Sequence, residues 1–191
     1  MHQRKGKKIL IYFFLLLLVG SINNIGLSNL KFKEIDNINV VGLNDYENVI
    51  LLQKIKDLNL GNIFLINKKE IINLINHNTL VEKYNISKKY PSSLDIKIQK
   101  TKFLARINNN GKVFLVGSNG KLSKNDFSNN QLPFIFGKLD INEFLNFKKI
   151  IDQSKFSYNE ITNLYFFPSK RWDLELRNNT IIKLSQNFTK E

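Results

Sequence analysis

The sequence lacks cysteine and contains only two histidines, His2 and His77. Disulfides, thiolate zinc sites and thiol nucleophiles are therefore excluded, and a histidine-centred catalytic triad would have to use one of these two histidines. Proline occurs three times and tryptophan once in 191 residues. This length allows one medium domain or two small ones.

The charge is strongly basic but not clustered. The formal net charge is +13, and Arg4, Lys5, Lys7 and Lys8 precede the first apolar run without any acidic residue among them. The other basic residues are scattered along the chain, singly or in pairs, whereas nucleic-acid binders cluster them on one face. The pattern therefore predicts no nucleic-acid partner.

A long uncharged stretch follows the basic residues 1–8, which are predicted to be a cytoplasmic tail. It reads "ILIYFFLLLLVGSINNIGL", from Ile9 to Leu27. A membrane span needs about 20 apolar residues, so residues 9–27 are predicted to form a transmembrane helix, with the rest of the chain outside the cytoplasm. A cleaved signal peptide is the alternative, because "VGS" at residues 19–21 fits a small-residue cleavage rule. Both interpretations predict an exported protein.

Residues 34–102 carry the pattern of a small α+β domain. "IDNINVVG" alternates as a strand, and two stretches then begin with an asparagine followed three residues later by glutamate, which is typical of helix N-caps at Asn44 and Asn67. The predicted buried face of the first helix consists of Tyr46, Val49, Ile50 and Leu58. That of the second helix consists of Ile71, Leu74 and Ile75.

A hairpin completes this first domain. Two alternating stretches flank "YPSS", and Leu94, Ile96 and Ile98 share one face of the second strand. The order strand, helix, helix, strand, strand predicts a three-stranded sheet with two helices on one face. Residues 83–89 are expected at the sheet edge, where lysines either guard the unpaired backbone or help a partner strand to dock.

Residues 103–191 predict a second α+β domain, rich in antiparallel hairpins. Asn119-Gly120 is a strong hairpin signal, and Asn178-Asn179 is a second turn. Asp140 is a predicted N-cap of a helix, and "WDLEL" from Trp172 alternates as a half-buried strand. The predicted face of the helix consists of Ile141, Phe144, Leu145 and Ile151.

No spacing of side chains in the sequence supports catalysis, a metal or a cofactor. His77 is interpreted as a solvent-facing residue at a helix end. Asp173 and Glu175 share a strand face with Arg177, so a solvated ladder is favoured over an acid–base pair. The sequence therefore predicts a protein that is not an enzyme and has no small-molecule substrate.

The order of these motifs resembles the FtsQ/DivIB family of bacterial cell division, which has a POTRA domain and a second, β-rich domain. The resemblance covers about residues 9–185, and Gly117 departs from it because the family commonly has an acidic residue at this point. The matching stretches are "INVVG", "GNIFLI", "ISKKYPSSLDIKI", "FLARI", "VFLVGSNGKL", "LPFIFG" and "RWDLELRNNTIIKLS".

The resemblance implies a single-pass inner-membrane protein of type II, with its domains in the periplasm at the division septum. It implies a non-catalytic scaffold that links early and late division proteins by binding FtsB and FtsL, with FtsK, FtsW and FtsI as further partners. The alternative is a POTRA protein that handles polypeptides in outer-membrane assembly or transport. Matching positions place partner contacts on two groups of residues: Tyr84, Ile86 and Lys88 in the POTRA domain, and Lys170, Arg171 and Trp172 in the second domain.

The resemblance also bears on the end of the sequence. Family members continue past the strand at residues 181–184 with a helix and a final strand that carries much of the FtsB contact, whereas this sequence ends in "SQNFTKE". We therefore expect a bare β edge in the second domain, and weaker FtsB binding than in a version extended by that strand.

Overall fold

The computed structural model describes residues 3–22, 33–124, 131–138 and 140–185, whose strands form two sheets. The three-stranded sheet has the order β1-β3-β2, and the seven-stranded sheet has the order β10-β9-β8-β7-β4-β5-β6. This confirms the predicted mixed α+β architecture. The elements in chain order are α1 (Gln3–Ile22), β1 (Asn37–Val41), α2 (Asp45–Lys56), α3 (Lys68–His77), β2 (Val81–Lys89), β3 (Ser93–Lys100), β4 (Phe103–Asn109), β5 (Lys112–Gly117), β6 (Leu122–Lys124), β7 (Phe134–Phe136), α4 (Ile141–Gln153), β8 (Ile161–Phe166), β9 (Trp172–Leu176) and β10 (Ile181–Lys183).

Helix α1 differs from the helix predicted over residues 9–27. It begins at Gln3, includes the basic residues, and ends at Ile22, while residues 23–27 of the predicted span lie outside the described residues. In the part of the chain that the structure describes, no helix is both long and apolar enough to cross a membrane.

The first domain has the predicted strand, helix, helix, strand, strand order. Both predicted N-caps are confirmed, since the Asn44 side chain accepts a hydrogen bond from the backbone N–H of Glu47 at 2.8 Å and Asn67 accepts one from Lys69 at 3.1 Å. β3 lies in the centre, parallel to β1 and antiparallel to β2. α2 and α3 pack with the sheet around one apolar core, whose buried members include Leu51, Ile71, Leu94, Ile96 and Ile98.

The predicted buried face of α2 is wrong at Tyr46 and Val49, although Leu58, just beyond the helix, packs against the core. Tyr46 and Val49 are 73% and 63% exposed, and the buried residues are Leu51 and Ile55. Apolar residues occur on every side of this helix, so their spacing alone does not select one face. By contrast, the prediction for α3 is confirmed, because Ile71 and Ile75 are buried and Leu74 packs beside them.

Gly42 ends β1 at a point where the chain passes close to β3. Its φ is +118°, and a Cβ atom built on it would lie 1.8 Å from the carbonyl oxygen of Ile98. Only glycine fits both the backbone conformation and this close approach. The glycine after the first strand therefore fixes how β1 meets the sheet.

The second domain combines the predicted hairpins with a parallel part that was not predicted. β4–β5, β5–β6, β8–β9 and β9–β10 are antiparallel, whereas β7 is parallel to both β4 and β8. Parallel neighbours need a crossover, and α4 supplies the one between β7 and β8.

Helix α4 covers one face of the seven-stranded sheet. The Asp140 side chain caps it by accepting from the N–H of Asn142 at 2.7 Å, as predicted. Phe144 and Ile151 are buried as predicted. Phe147, which was not predicted to be buried, also lies in the core, and its ring stacks on Trp172 with centroids 4.3 Å apart. This aromatic pair lies in the core of the second domain.

Candidate partner-binding edges

β2 forms an edge of the first sheet, as predicted, because β3 is its one neighbour within the described strands. Tyr84 and Ile86 lie opposite Ile98 and Ile96 in the register and share their face of the sheet. Both are half-buried and pack against the core under the helices. Their side chains therefore point away from the outer sheet face, and a partner would meet them along the edge.

Lysines occupy the second half of this edge. The Lys68 ammonium donates to the carbonyl oxygen of Ile86 at 3.3 Å, and the Lys88 ammonium lies 3.5 Å from the carbonyl oxygen of Phe64. Lys83 and Asn85, in the first half of β2, are exposed. The guarding interpretation therefore fits the part of the edge near Ile86 and Lys88, and the part near Lys83 and Asn85 is more accessible.

A buried carboxylate holds the end of β2 against β3. Asp95 is only 8% exposed, on the opposite face from Leu94 and Ile96, and it forms an ion pair with Lys89. The hydrogen bond from Lys89 is the main cause that holds the pKa of Asp95 below its usual value. This pair fixes the hairpin end of the β2 edge.

The second predicted group lies at the turn between β8 and β9. Lys170 is exposed in this turn with φ of +62°, and its ammonium lies 3.3 Å from the Glu143 carboxylate of α4. The guanidinium of Arg171 donates to both carboxylate oxygens of Asp173, at 3.0 and 3.1 Å, and lies over the ring of Phe167 at 4.6 Å. Lys170 and Arg171 thus present cationic groups at the surface.

Trp172 occupies a different environment from its two neighbours. It is 2% exposed and packs between Phe147 and Phe166, whose ring centroids lie 4.3 and 4.8 Å from its own. Its side chain offers almost no surface to a partner. The structure therefore separates the predicted group into two surface residues and one core residue.

β10 forms one edge of the seven-stranded sheet. Among the described strands it has one neighbour, β9, and Ile181 at its start is 58% exposed. Residues 186–191, at the point where family members continue with a helix and a final strand, lie outside the described residues. Within the described chain, the expected bare edge in the second domain is present.

The sheet face opposite α4 carries a cluster of aromatic side chains and a carboxylate that was not predicted from the sequence. Phe134, Phe136 and Tyr165 follow one another with ring centroids 4.8 and 5.0 Å apart. Glu175 accepts hydrogen bonds from Asn163 at 3.0 Å and from Tyr165 at 2.8 Å. The period-2 alternation in "PFIFG" and "NLYF" could have indicated this face.

These contacts correct the expectation of a solvated ladder on β9. Asp173 is 5% exposed and is held by Arg171, and Glu175 is half-buried. The hydrogen bonds from Asn163 and Tyr165 lower the pKa of Glu175, and the same contact with Glu175 raises the pKa of Tyr165. His77, in contrast, is exposed at the end of α3, as predicted.

Comparison with known proteins agrees with this fold. Residues 33–100 match the family model described as POTRA domain, FtsQ-type, so this part of the chain is a POTRA domain of the FtsQ type. Over residues 33–100 the match agrees with the resemblance to the FtsQ/DivIB family that the sequence motifs indicate. A search of curated proteins found no match.

The chain is also similar to a solved structure from Geobacillus stearothermophilus. This is the major extracytoplasmic domain of the trans isomer of the bacterial cell division protein DivIB. The two share 12% identity over 47% of this chain and 83% of that chain, with a TM-score of 0.36.

Proposed function

We propose that this protein is a non-catalytic scaffold of the bacterial division machinery. The observation that carries the proposal is the FtsQ-type POTRA domain at residues 33–100, followed by a second sheet domain that contains the other motifs of the family. In this proposal the protein acts at the division septum, on the periplasmic side of the inner membrane, and links early and late division proteins.

The exposed sheet edges support an assembly role. An edge strand presents unpaired N–H and C=O groups, and a partner strand that pairs with them gains main-chain hydrogen bonds without any pocket. β2 provides such an edge in the POTRA domain and β10 provides one in the second domain. We assign FtsB, together with FtsL, to the β10 edge, and further division proteins such as FtsK, FtsW and FtsI to the POTRA domain.

The predicted contact residues differ in how much of their side chain a partner can reach. Lys170 contributes an exposed ammonium and Arg171 a half-buried guanidinium on the second domain, and Lys88 contributes a half-buried side chain at the β2 edge. Tyr84 and Ile86 shape the backbone of that edge through their packing. The Trp172 ring is buried in the core and contributes to the fold of the second domain rather than to a partner contact.

Localisation in dividing cells tests the proposal. A fluorescent fusion of the full chain should concentrate at midcell before constriction. In capture experiments with the full chain, Lys170→Ala should retain less of the division proteins without loss of the fold, because it removes one exposed ammonium. Lys149→Ala in α4, the matched exposed control, should capture as much as the natural chain. A uniform distribution around the cell, or enrichment with outer-membrane assembly proteins instead, would contradict the proposal and favour the polypeptide-handling alternative.

A further inference from the structure

The turn between β5 and β6 reaches across to the first domain. We call residues 117–121 the clasp turn. The side-chain nitrogen of Asn119 donates to the carbonyl oxygens of Thr79 and Val81, both at 2.9 Å. Because carbonyls only accept, these two bonds and the acceptance of the Lys121 N–H at 3.0 Å fix the orientation of the amide.

Lys121 extends the same contact to helix α3. Its ammonium lies 2.5 Å from the carbonyl oxygen of Asn76 and 3.2 Å from that of Asn78. The last carbonyls of a helix have no partner within the helix and attract cations. A residue of the second domain therefore caps a helix of the POTRA domain.

A carboxylate from the POTRA domain completes the joint. Glu82 lies at the irregularity in the β2–β3 register between Val81 and Lys83, a kind of feature that redirects a side chain. One of its oxygens accepts from the hydroxyl of Ser118 at 2.7 Å and from that of Thr101 at 3.0 Å. Thr101 lies between the domains and is 4% exposed, so this contact is shielded from water.

Gly117 leaves the space that the clasp turn needs. A Cβ atom on Gly117 would lie 2.5 Å from the side-chain oxygen of Asn119 and 2.9 Å from the Thr101 hydroxyl. Contacts this short force the neighbouring side chains to move. The departure from the acidic residue common in the family is therefore coupled to the Asn119 and Thr101 contacts.

We propose that the clasp turn locks the POTRA domain and the second domain into one rigid unit, with Asn119 as the positioning residue and Gly117 as the residue that makes room for it. Contacts between domains of one chain often permit relative motion, whereas here four side chains bridge directly across the joint. One consequence, which rests on the proposed function, is that the β2 and β10 edges are held at a fixed separation for partners that bind together.

Distance measurement on the full-length chain tests the lock without any partner. The natural sequence has no cysteine, so Lys69→Cys on α3 and Lys149→Cys on α4, both at exposed positions, give a unique spin-label pair. Electron–electron double resonance should show one narrow distance distribution. Asn119→Ala should broaden it, while Asn142→Ala, an exposed asparagine on α4, should leave it unchanged.

A double mutant tests whether Gly117 and Asn119 act through the same contact. Gly117→Ala should broaden the distribution as Asn119→Ala does, and the double variant should be no broader than Asn119→Ala alone, because both changes remove the same contact. If Asn119→Ala does not fold, as judged by circular dichroism, Thr101→Val replaces it, since it removes the hydroxyl bonded to Glu82 with little change in shape. A broad distribution in the unmodified chain, or a narrow one in folded Asn119→Ala or Thr101→Val, would overturn the proposal. If the unmodified chain gives a narrow distance distribution but does not bind FtsB, only the proposed function is contradicted.

Discussion

Truncation of Ile96 is the substitution whose effect the structure defines most closely. Ile96 is 0% exposed in the central strand of the POTRA sheet, where it lies opposite Val40 on β1 and Ile86 on β2. Replacing a buried isoleucine by alanine removes apolar contacts and leaves a cavity, at a cost of about 2–5 kcal/mol. Strands on both sides limit collapse of the site, so we expect a loss of about 3–4 kcal/mol in the free energy of unfolding.

Urea denaturation followed by circular dichroism measures this loss. Gln99→Ala on the same strand is the matched exposed control, and it should change the free energy of unfolding by less than about 0.5 kcal/mol. Leu94→Asp and Ile96→Asp should be worse than Ile96→Ala because each buries a charge. If Ile96→Ala cost no more than Gln99→Ala, the assigned core face of β3 would be wrong.

The thermal shift carries additional information about the two domains. A loss of 1 kcal/mol lowers Tm by about 4–8 °C in a domain of 60–100 residues, but by about 2–4 °C in a unit of 150–250 residues. If the clasp turn makes the two domains unfold together, Ile96→Ala should therefore produce the smaller shift. In the Asn119→Ala background, where the two domains should unfold separately, Ile96→Ala should lower Tm by the larger amount expected for a small domain.

Two further predictions concern single side chains. Trp172→Ala should destabilise the second domain by about 3–5 kcal/mol in urea titrations, because it removes a ring buried between Phe147 and Phe166. Lys170→Ala, the control, should have almost no such effect. Equal urea midpoints for the two variants would place Trp172 outside the core. The lowered pKa of Asp95 means that its stabilisation is present above about pH 5 and is lost as the pH falls below the usual value of about 3.9, so Asp95→Asn should flatten the acid limb of a stability–pH curve. An unchanged acid limb would show that the ion pair with Lys89 contributes nothing to the pH dependence.

Local signals in the sequence predicted most of the secondary structure, because capping and turn chemistry act over a few residues. The caps at Asn44, Asn67 and Asp140 and the turn at Asn119-Gly120 are examples. The buried face of α2 could not be predicted in the same way. Apolar residues surround that helix, and only the position of the sheet selects Leu51 and Ile55.

The sequence patterns did not predict contacts between distant parts of the chain. The parallel position of β7 depends on the crossover through α4, and the bonds of Asn119 join residues about 40 positions apart. Trp172 shows the same limit at the candidate site. Family motifs placed it among the contact residues, but its packing against Phe147 decides that its ring is buried.

Capture of FtsB and FtsL from dividing cells by the full-length chain tests the central claim most directly. Ile181→Asp places a charge on the exposed start of the β10 edge, and Asn146→Asp places the same charge on an exposed position of α4, away from that edge. The proposed scaffold role predicts that the natural chain and Asn146→Asp capture FtsB and FtsL, and that Ile181→Asp loses most of this capture while keeping its fold. Absence of both proteins from the material captured by the natural chain would contradict the division-scaffold role, and equal capture by Ile181→Asp would contradict docking at β10.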